Sequence, residues 1–305
     1  MSEKTIVVFG ATGRQGQGVV NALLDQGGYT VRAISRDVGA DQAKRLAARG
    51  VEVVAADLNR VDTLAPVLSG AHGVFLVTNF WDPATGASEY GQVRHVVGAA
   101  KSAGVTHMVW STLPDAHEIS GGRYEVSHFT NKARANAVIA DAGFRHYSFV
   151  EAPFFFQNFL GQMAPQPTGT GNGNQTAWAV PMDINSKSIH AGDIHELGKL
   201  VKEVFDHPEI TGQGQILSLC ADAYSWQAFA DILNAQGHNV VVNQVPGKAY
   251  EMFYPGAAEV CAMMGYFEDF SYFGPDADAK RARADALVDG QITGFAEWAR
   301  VNMPA

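Results

Sequence analysis

The sequence predicts an α/β fold, a Rossmann-type doubly wound parallel sheet with a smaller C-terminal α/β cap domain. Three observations carry that prediction. Six short β-branched or aromatic runs recur through the first half, segments with helical spacing lie between them, and a glycine-rich turn follows the first run directly. Strands alternating with helices require crossovers that cover both faces of a mostly parallel sheet, and right-handed crossovers wind it in both directions.

The first run, TIVVF (5–9), leads into GATGRQG and then into a segment with Val19, Val20, Leu23 and Leu24 on one helical face. Gly10 permits the tight turn, Gly13 lets backbone amides approach a pyrophosphate, and Gly16 lets the helix pack closely on the strand. A diphosphate would sit at the positive end of that helix, with Thr12 and Arg14 of the same turn beside it. The second run, YTVRAI (29–34), ends in AISRD. A binder of NAD(H) usually offers a carboxylate there, whereas Ser35 and Arg36 stand here. Arg36 suits a ribose 2′-phosphate through charge-assisted hydrogen bonds, so NADP(H) is preferred over NAD(H), although Asp37 is placed to pair with Arg36.

The third run, VEVVAA (51–56), is followed by Asp57 and Leu58, which can edge an adenine; Asp57 would serve equally as a helix cap. After the fourth run, GVFLVT (73–78), come Thr78, Asn79, Phe80 and Trp81, then a helical segment with Val93, Val96, Val97 and Ala100 on one face. The fifth, THMVW (106–110), presents Ser111 and Thr112. The sixth, HYSFV (146–150), presents Glu151, Pro153, Phe154, Phe155 and Phe156. Ligands of open α/β sheets lie across these carboxyl ends. Thr78, Asn79, Pro153 and Phe156 are therefore candidate cofactor contacts. Phe80, Trp81, Thr112, Phe154 and Phe155 are candidate walls of an apolar pocket, with at least one residue of the FFF run expected in the core.

Beyond Val150 the rhythm breaks, which divides the chain into 1–152, the dinucleotide domain, and 153–305, a smaller region from which some segments return to the first. PQPTGTGNGNQT (165–176) reads as a mobile surface loop, and QGQILSLC (213–220) and HNVVVNQV (238–245) as strands of the cap. Tyr266, Phe267 and Phe270 of GYFEDF would join the pocket if that segment folds over the nicotinamide. Ile292, Phe295 and Trp298 would pack the chain end down.

With 47% hydrophobic and 17% charged residues, disorder is excluded. The net charge of −9 comes without a basic run, which argues against direct nucleic-acid binding. Cys220 and Cys261 are expected as buried thiols. MSEKTIVVFG lacks a signal-peptide pattern and no apolar run could span a bilayer, so a cytoplasmic address is expected. The ten histidines show no zinc spacing; His190 and His195, five apart, do not share a helix face, so no metal site is expected. Asp193 reads as an N-cap, and no serine sits in a nucleophile elbow.

The motifs VVFGATGRQG, VRAISRD, VTNFW, WSTLPD, SHFTNK, EAPFFFQNF and VPMDINSKSIHAGDIHELG together resemble the NmrA-like family of atypical short-chain dehydrogenases, and within it the HSCARG-like NADPH-sensor subgroup, over nearly the whole chain. The resemblance implies NADP(H) held at Gly10, Gly13, Gly16 and Arg36, with Lys132 near the nicotinamide ribose. Ordinary short-chain dehydrogenases carry Tyr-x-x-x-Lys where HFTNK places His128 ahead of Lys132; the lysine lowers the tyrosine pKa for proton transfer. The resemblance thus favours a redox-responsive sensor that regulates a protein partner, with weak or no turnover. The alternative is an NADPH-dependent reductase of an apolar carbonyl, quinone or imine-like substrate, in which His128, Lys132 and Ser111 are the candidate catalytic residues. Tyr124, one turn before His128, could lend its hydroxyl. A homodimer is compatible with either reading.

Overall fold

A computed structural model describes residues 4–25, 27–82, 89–169, 174–288 and 292–305. In chain order the strands are β1 (Lys4–Val8), β2 (Tyr29–Ser35), β3 (Glu52–Ala55), β4 (Gly73–Leu76), β5 (His107–Thr112), β6 (His146–Glu151), β7 (Phe154–Phe155), β8 (Gln166–Pro167), β9 (Thr176–Val180), β10 (Ile189–Gly192), β11 (Gln213–Ser218), β12 (Asp222–Tyr224) and β13 (Val240–Gln244). The helices are α1 (Arg14–Asp25), α2 (Asp41–Ala48), α3 (Leu64–Leu68), α4 (Glu89–Ser102), α5 (Ala116–Ile119), α6 (Ser127–Ala140), α7 (Leu197–Asp206), α8 (Pro208–Thr211), α9 (Trp226–Ala235), α10 (Gly247–Tyr250), α11 (Ala257–Phe270), α12 (Ala277–Asp285) and α13 (Phe295–Asn302).

The central sheet runs β11-β6-β5-β4-β1-β2-β3, with every pairing parallel. Its strands coincide with the six apolar runs plus one from the second half. The outer β3 contains no fully buried residue, whereas β4 and β5 are buried along their whole length, because helices cover both faces of the sheet there. From β1 the chain winds one way to β2 and β3 and the other way to β4, β5 and β6. The crevice at that reversal is where doubly wound sheets take their ligands. Two apolar clusters fill the two faces of the sheet, and a third, rich in aromatic rings, forms the cap.

Two expectations for the second half are corrected. The segment 213–220 does not belong to the cap: as β11 it pairs with β6, Ile216 against Phe149 and Leu217 against Val150, and closes the edge of the central sheet. Apolar alternation marks a strand but not its partner. The stretch 165–176 is in part a hairpin, since β8 pairs antiparallel with β9 through Pro167 and Thr176; residues 170–173 lie outside the described residues. By contrast, Val240–Gln244 is a strand of the cap, parallel to β9.

One close helix contact anchors the frame. Helices α1 and α7 cross at Gly18 and Gly198, where a Cβ on Gly198 would fall 2.1 Å from the Gly18 carbonyl oxygen. Only glycine at both positions lets the backbones approach this far.

Candidate functional site

At the carboxyl ends of β1, β2, β3 and β4 lies a cleft of about 490 Å³. Gly10, Thr12, Gly13, Arg14, Gly16, Arg36, Asp57, Leu58, Thr78 and Asn79 all line it, and so does Phe155. The local reason is the glycine turn. Gly10 adopts φ +70°, Gly13 N–H donates to the Gly10 carbonyl at 2.9 Å, and α1 starts at Arg14. A Cβ on Gly16 would fall 2.2 Å from the Gly10 carbonyl oxygen, so that position keeps the turn folded against the helix. The side-chain amide of Gln17 ties down the Thr12 carbonyl at 2.8 Å. Helix α1 thereby directs its unpaired N-terminal amides towards the cleft.

Sequence reasoning missed four polar residues of the cleft. Gln15, in the first turn of α1, accepts a 2.6 Å hydrogen bond from the Ser111 hydroxyl and so links β5 to the glycine turn. Asp82 forms a 2.6 Å ion pair with Arg36 across the cleft, whereas Asp37, the partner foreseen for that arginine, accepts from the Gly39 amide. Gln92 of α4 donates to Asn59 at 2.9 Å, and its buried Oε1 has no partner among the described residues. Asn59 itself is held by Asp57, whose carboxylate accepts from the Asn59 backbone and side chain; it makes this local turn and caps no helix. Of these, only Gln15 carried a local signal, its place next to the glycine motif.

Lys132 is buried behind the cleft. Its Nζ donates to Thr78 O and Thr78 Oγ1, each at 2.9 Å, and to Glu89 Oε1 at 2.6 Å, while the Thr78 hydroxyl donates to the same Glu89 oxygen at 2.5 Å. Burial lowers the Lys132 pKa, opposed by the Glu89 carboxylate. Glu89 is 2% exposed and its other oxygen, Oε2, has no partner among the described residues. His128, one turn earlier on α6, binds Glu259 of α11: its Nδ1 lies 2.7 Å from Glu259 Oε1, and its backbone N–H donates to the same oxygen at 3.1 Å. Burial raises the Glu259 pKa, but these bonds outweigh it and hold the carboxyl low. The His128 ring also touches Phe80 and Trp81, with centroids 5.8 and 5.1 Å away; Trp81 is 57% exposed. Neither His128 nor Lys132 lines the cleft.

Other candidates lie elsewhere. Phe154 packs on Phe159 and Trp226, and Phe156 on Phe295 and Trp298, all in the cap core. Tyr266 and Phe267 pack around Phe129 in the same core, with Phe270 stacked on Tyr266. Successive strand side chains point to opposite faces, which is why Phe155 alone of the three reaches the cleft. Pro153 packs near Gly192, and Thr112 is fully buried. Tyr124 precedes α6 and donates to Asp269 at 2.7 Å. Asp193 accepts from the His195 amide, as a cap does. Glu151 ends β6 as a buried anchor for Ser218 at 2.5 Å and Lys280 at 3.3 Å. Burial raises its pKa, with Lys280 opposing.

Among the described residues no group of three or more His, Cys, Asp or Glu could hold a metal ion, and no helix is long and apolar enough to cross a membrane. Both cysteines are free thiols. Cys220 is buried, and burial pushes its pKa up to about 12, whereas Cys261 is only half-buried.

Likeness to known proteins runs the length of the chain. The model of the NmrA-like family matches residues 2–299. An NmrA-like family domain-containing oxidoreductase of Penicillium ochrochloron is 30% identical over 94% of this chain and 92% of its own length. Among solved structures, NmrA, a negative transcriptional regulator, has been crystallised both with NAD and with NADP. It superposes with a TM-score of 0.81 at 23% identity, covering 98% of this chain and 95% of its own. The NADPH-dependent quinone oxidoreductase QOR2 of Escherichia coli, complexed with NADPH, superposes with a TM-score of 0.79 at 19% identity over 97% of this chain and 99% of its own. At these identities the structural likeness is one of fold.

Proposed function

The chain belongs to the NmrA-like family, and from that premise we propose that it is an NADP(H)-binding sensor or regulator with little or no dehydrogenase turnover. The residues present fit a dinucleotide. Gly10, at positive φ, and Gly16, which has no room for a Cβ, keep the glycine turn folded against α1, α1 offers its amides to a pyrophosphate, and Gln92 Oε1, without a partner among the described residues, is an acceptor suited to an adenine amino group beside Asp57 and Leu58. Arg36 would take a ribose 2′-phosphate. When bound, such a cofactor supplies a hydride donor or acceptor.

The observation that carries the sensor reading is the state of Lys132 and His128. The ammonium of Lys132 spends its three donors on Thr78 and Glu89, and His128 is bound to Glu259. Lys132 thus has no donor left for the cleft, and neither Lys132 nor His128 lines it. Thr78, which lines the cleft, is instead coupled through Lys132 to α6 and through Glu89 to α4, so a ligand that moves Thr78 acts on both helices. A regulated protein partner or a change of oligomer would then read the helices.

The rival reading, an NADPH-dependent reductase, draws on the exposed Trp81 and on Phe80, which offer an apolar ring face next to Asn79 of the cleft. Titration of NADPH, NADP, NADH and NAD, followed by a turnover screen with quinones, aldehydes and imines, separates the two. The sensor reading expects tight binding, a nucleotide-dependent change in oligomer or partner capture, and no steady oxidation of NADPH. Turnover that is abolished by Lys132→Ala and reduced by His128→Phe would establish the reductase instead.

A further inference from the structure

The geometry points to Asp82 as a selectivity residue that sets the balance between phosphorylated and unphosphorylated dinucleotides against Arg36. This rests on the reading of the cleft as a dinucleotide site. Arg36 directly follows β2 and Asp82 lies beyond β4, and these two strands flank β1 on opposite sides. Their ion pair, 2.6 Å between Arg36 Nη1 and Asp82 Oδ2, therefore spans the carboxyl end of β1, where the glycine turn begins. Both residues line the cleft.

The pair is built to be exchanged rather than to hold the fold. The Asp82 side chain is only 15% exposed, but that of Arg36 is 60% exposed, so the guanidinium is open to solvent and to a ligand and can exchange partners. A ribose 2′-phosphate would compete with Asp82 for the guanidinium and place a dianion beside a carboxylate, which repels it. A free ribose 2′-hydroxyl instead finds in Asp82 the acceptor that the end of β2 lacks, since Ser35 and Arg36 stand where a carboxylate would serve NAD. Arg36 thus favours the phosphorylated nucleotide and Asp82 disfavours it. Asp82 is 46 positions from Arg36 in the chain, which hides the pair from any local motif.

The test is isothermal titration of the full chain and of Asp82→Asn, Arg36→Met and the double variant with NADPH and NADH. Asp82→Asn is expected to shift the NADPH:NADH affinity ratio towards NADPH by roughly tenfold, Arg36→Met to shift it the other way, and the Asp82→Asn effect to shrink in the Arg36→Met background. A merely structural role for Asp82 would weaken both nucleotides alike and leave the ratio where it was. If the wild-type chain binds a nucleotide and Asp82→Asn leaves the ratio unchanged or moves it towards NADH, the inference is overturned while the dinucleotide reading stands. If the wild-type chain binds neither nucleotide, that reading fails and the inference with it. Should Asp82→Asn fold poorly, Asp82→Ser supplies the same ratio.

Discussion

Lys132 and Glu89 show what a buried charge demands of its neighbours. The ammonium is largely withdrawn from water, and desolvation lowers its pKa until the Glu89 carboxylate partly restores it. Removing the carboxylate alone strands a buried cation. Glu89→Gln is therefore expected to destabilise the fold by about 3–5 kcal/mol. The double variant Glu89→Gln/Lys132→Met should recover part of that loss, because two neutral groups replace the pair. Urea denaturation of the three proteins checks both statements; additive losses in the double variant would show that the two side chains do not act as a unit.

At the scale of elements, glycine has opposite meanings in two helices. Gly98 sits on the exposed face of α4, where an added methyl would meet nothing within 4 Å, so Gly98→Ala should stabilise by about 0.5–1 kcal/mol through helix propensity alone. Gly198 forms the crossing of α7 on α1, and Gly198→Ala should instead destabilise by about 1–3 kcal/mol, since the added carbon meets the Gly18 backbone rather than a side chain that can turn away. Thermal melts of the two variants decide the matter by sign. The FFF run makes the same point for a strand: Phe154 and Phe156 pack the cap, while Phe155 alone turns to the cleft.

Over the whole molecule, buried histidines couple folding to acidity, His107 and His190 most strongly. Burial drives His107 down to about 3 and His190 down to about 4, with His146 and Arg281 respectively adding to the effect. In the unfolded chain each takes a proton near about pH 6.5. The unfolded state thus binds more protons below that pH, so the stability they support is complete above about pH 6.5 and is lost as the pH falls towards the folded values. The expected loss is on the order of 1–2 kcal/mol for each histidine between about pH 7 and about pH 5. Denaturation across that range should show the slope, and His107→Phe should make it shallower.

The sequence by itself determined the parts whose causes are local. The apolar runs mark the first six strands because side chains alternate along a strand, and the glycine turn announces itself because Gly10 needs positive φ and Gly16 has no room for a Cβ. Gly10, Thr12, Gly13, Arg14 and Gly16 of the cleft could be named from the glycine turn, and Arg36, Asp57, Leu58, Thr78, Asn79 and Phe155 from strand ends, since a doubly wound sheet puts those ends together. Only the tertiary structure decided which charges meet: Lys132 with Glu89, His128 with Glu259 and Arg36 with Asp82. It also brought β11 to the central sheet. Partners separated by tens of residues leave no mark in local spacing, because electrostatic pairing and strand order depend on distance in space and not along the chain.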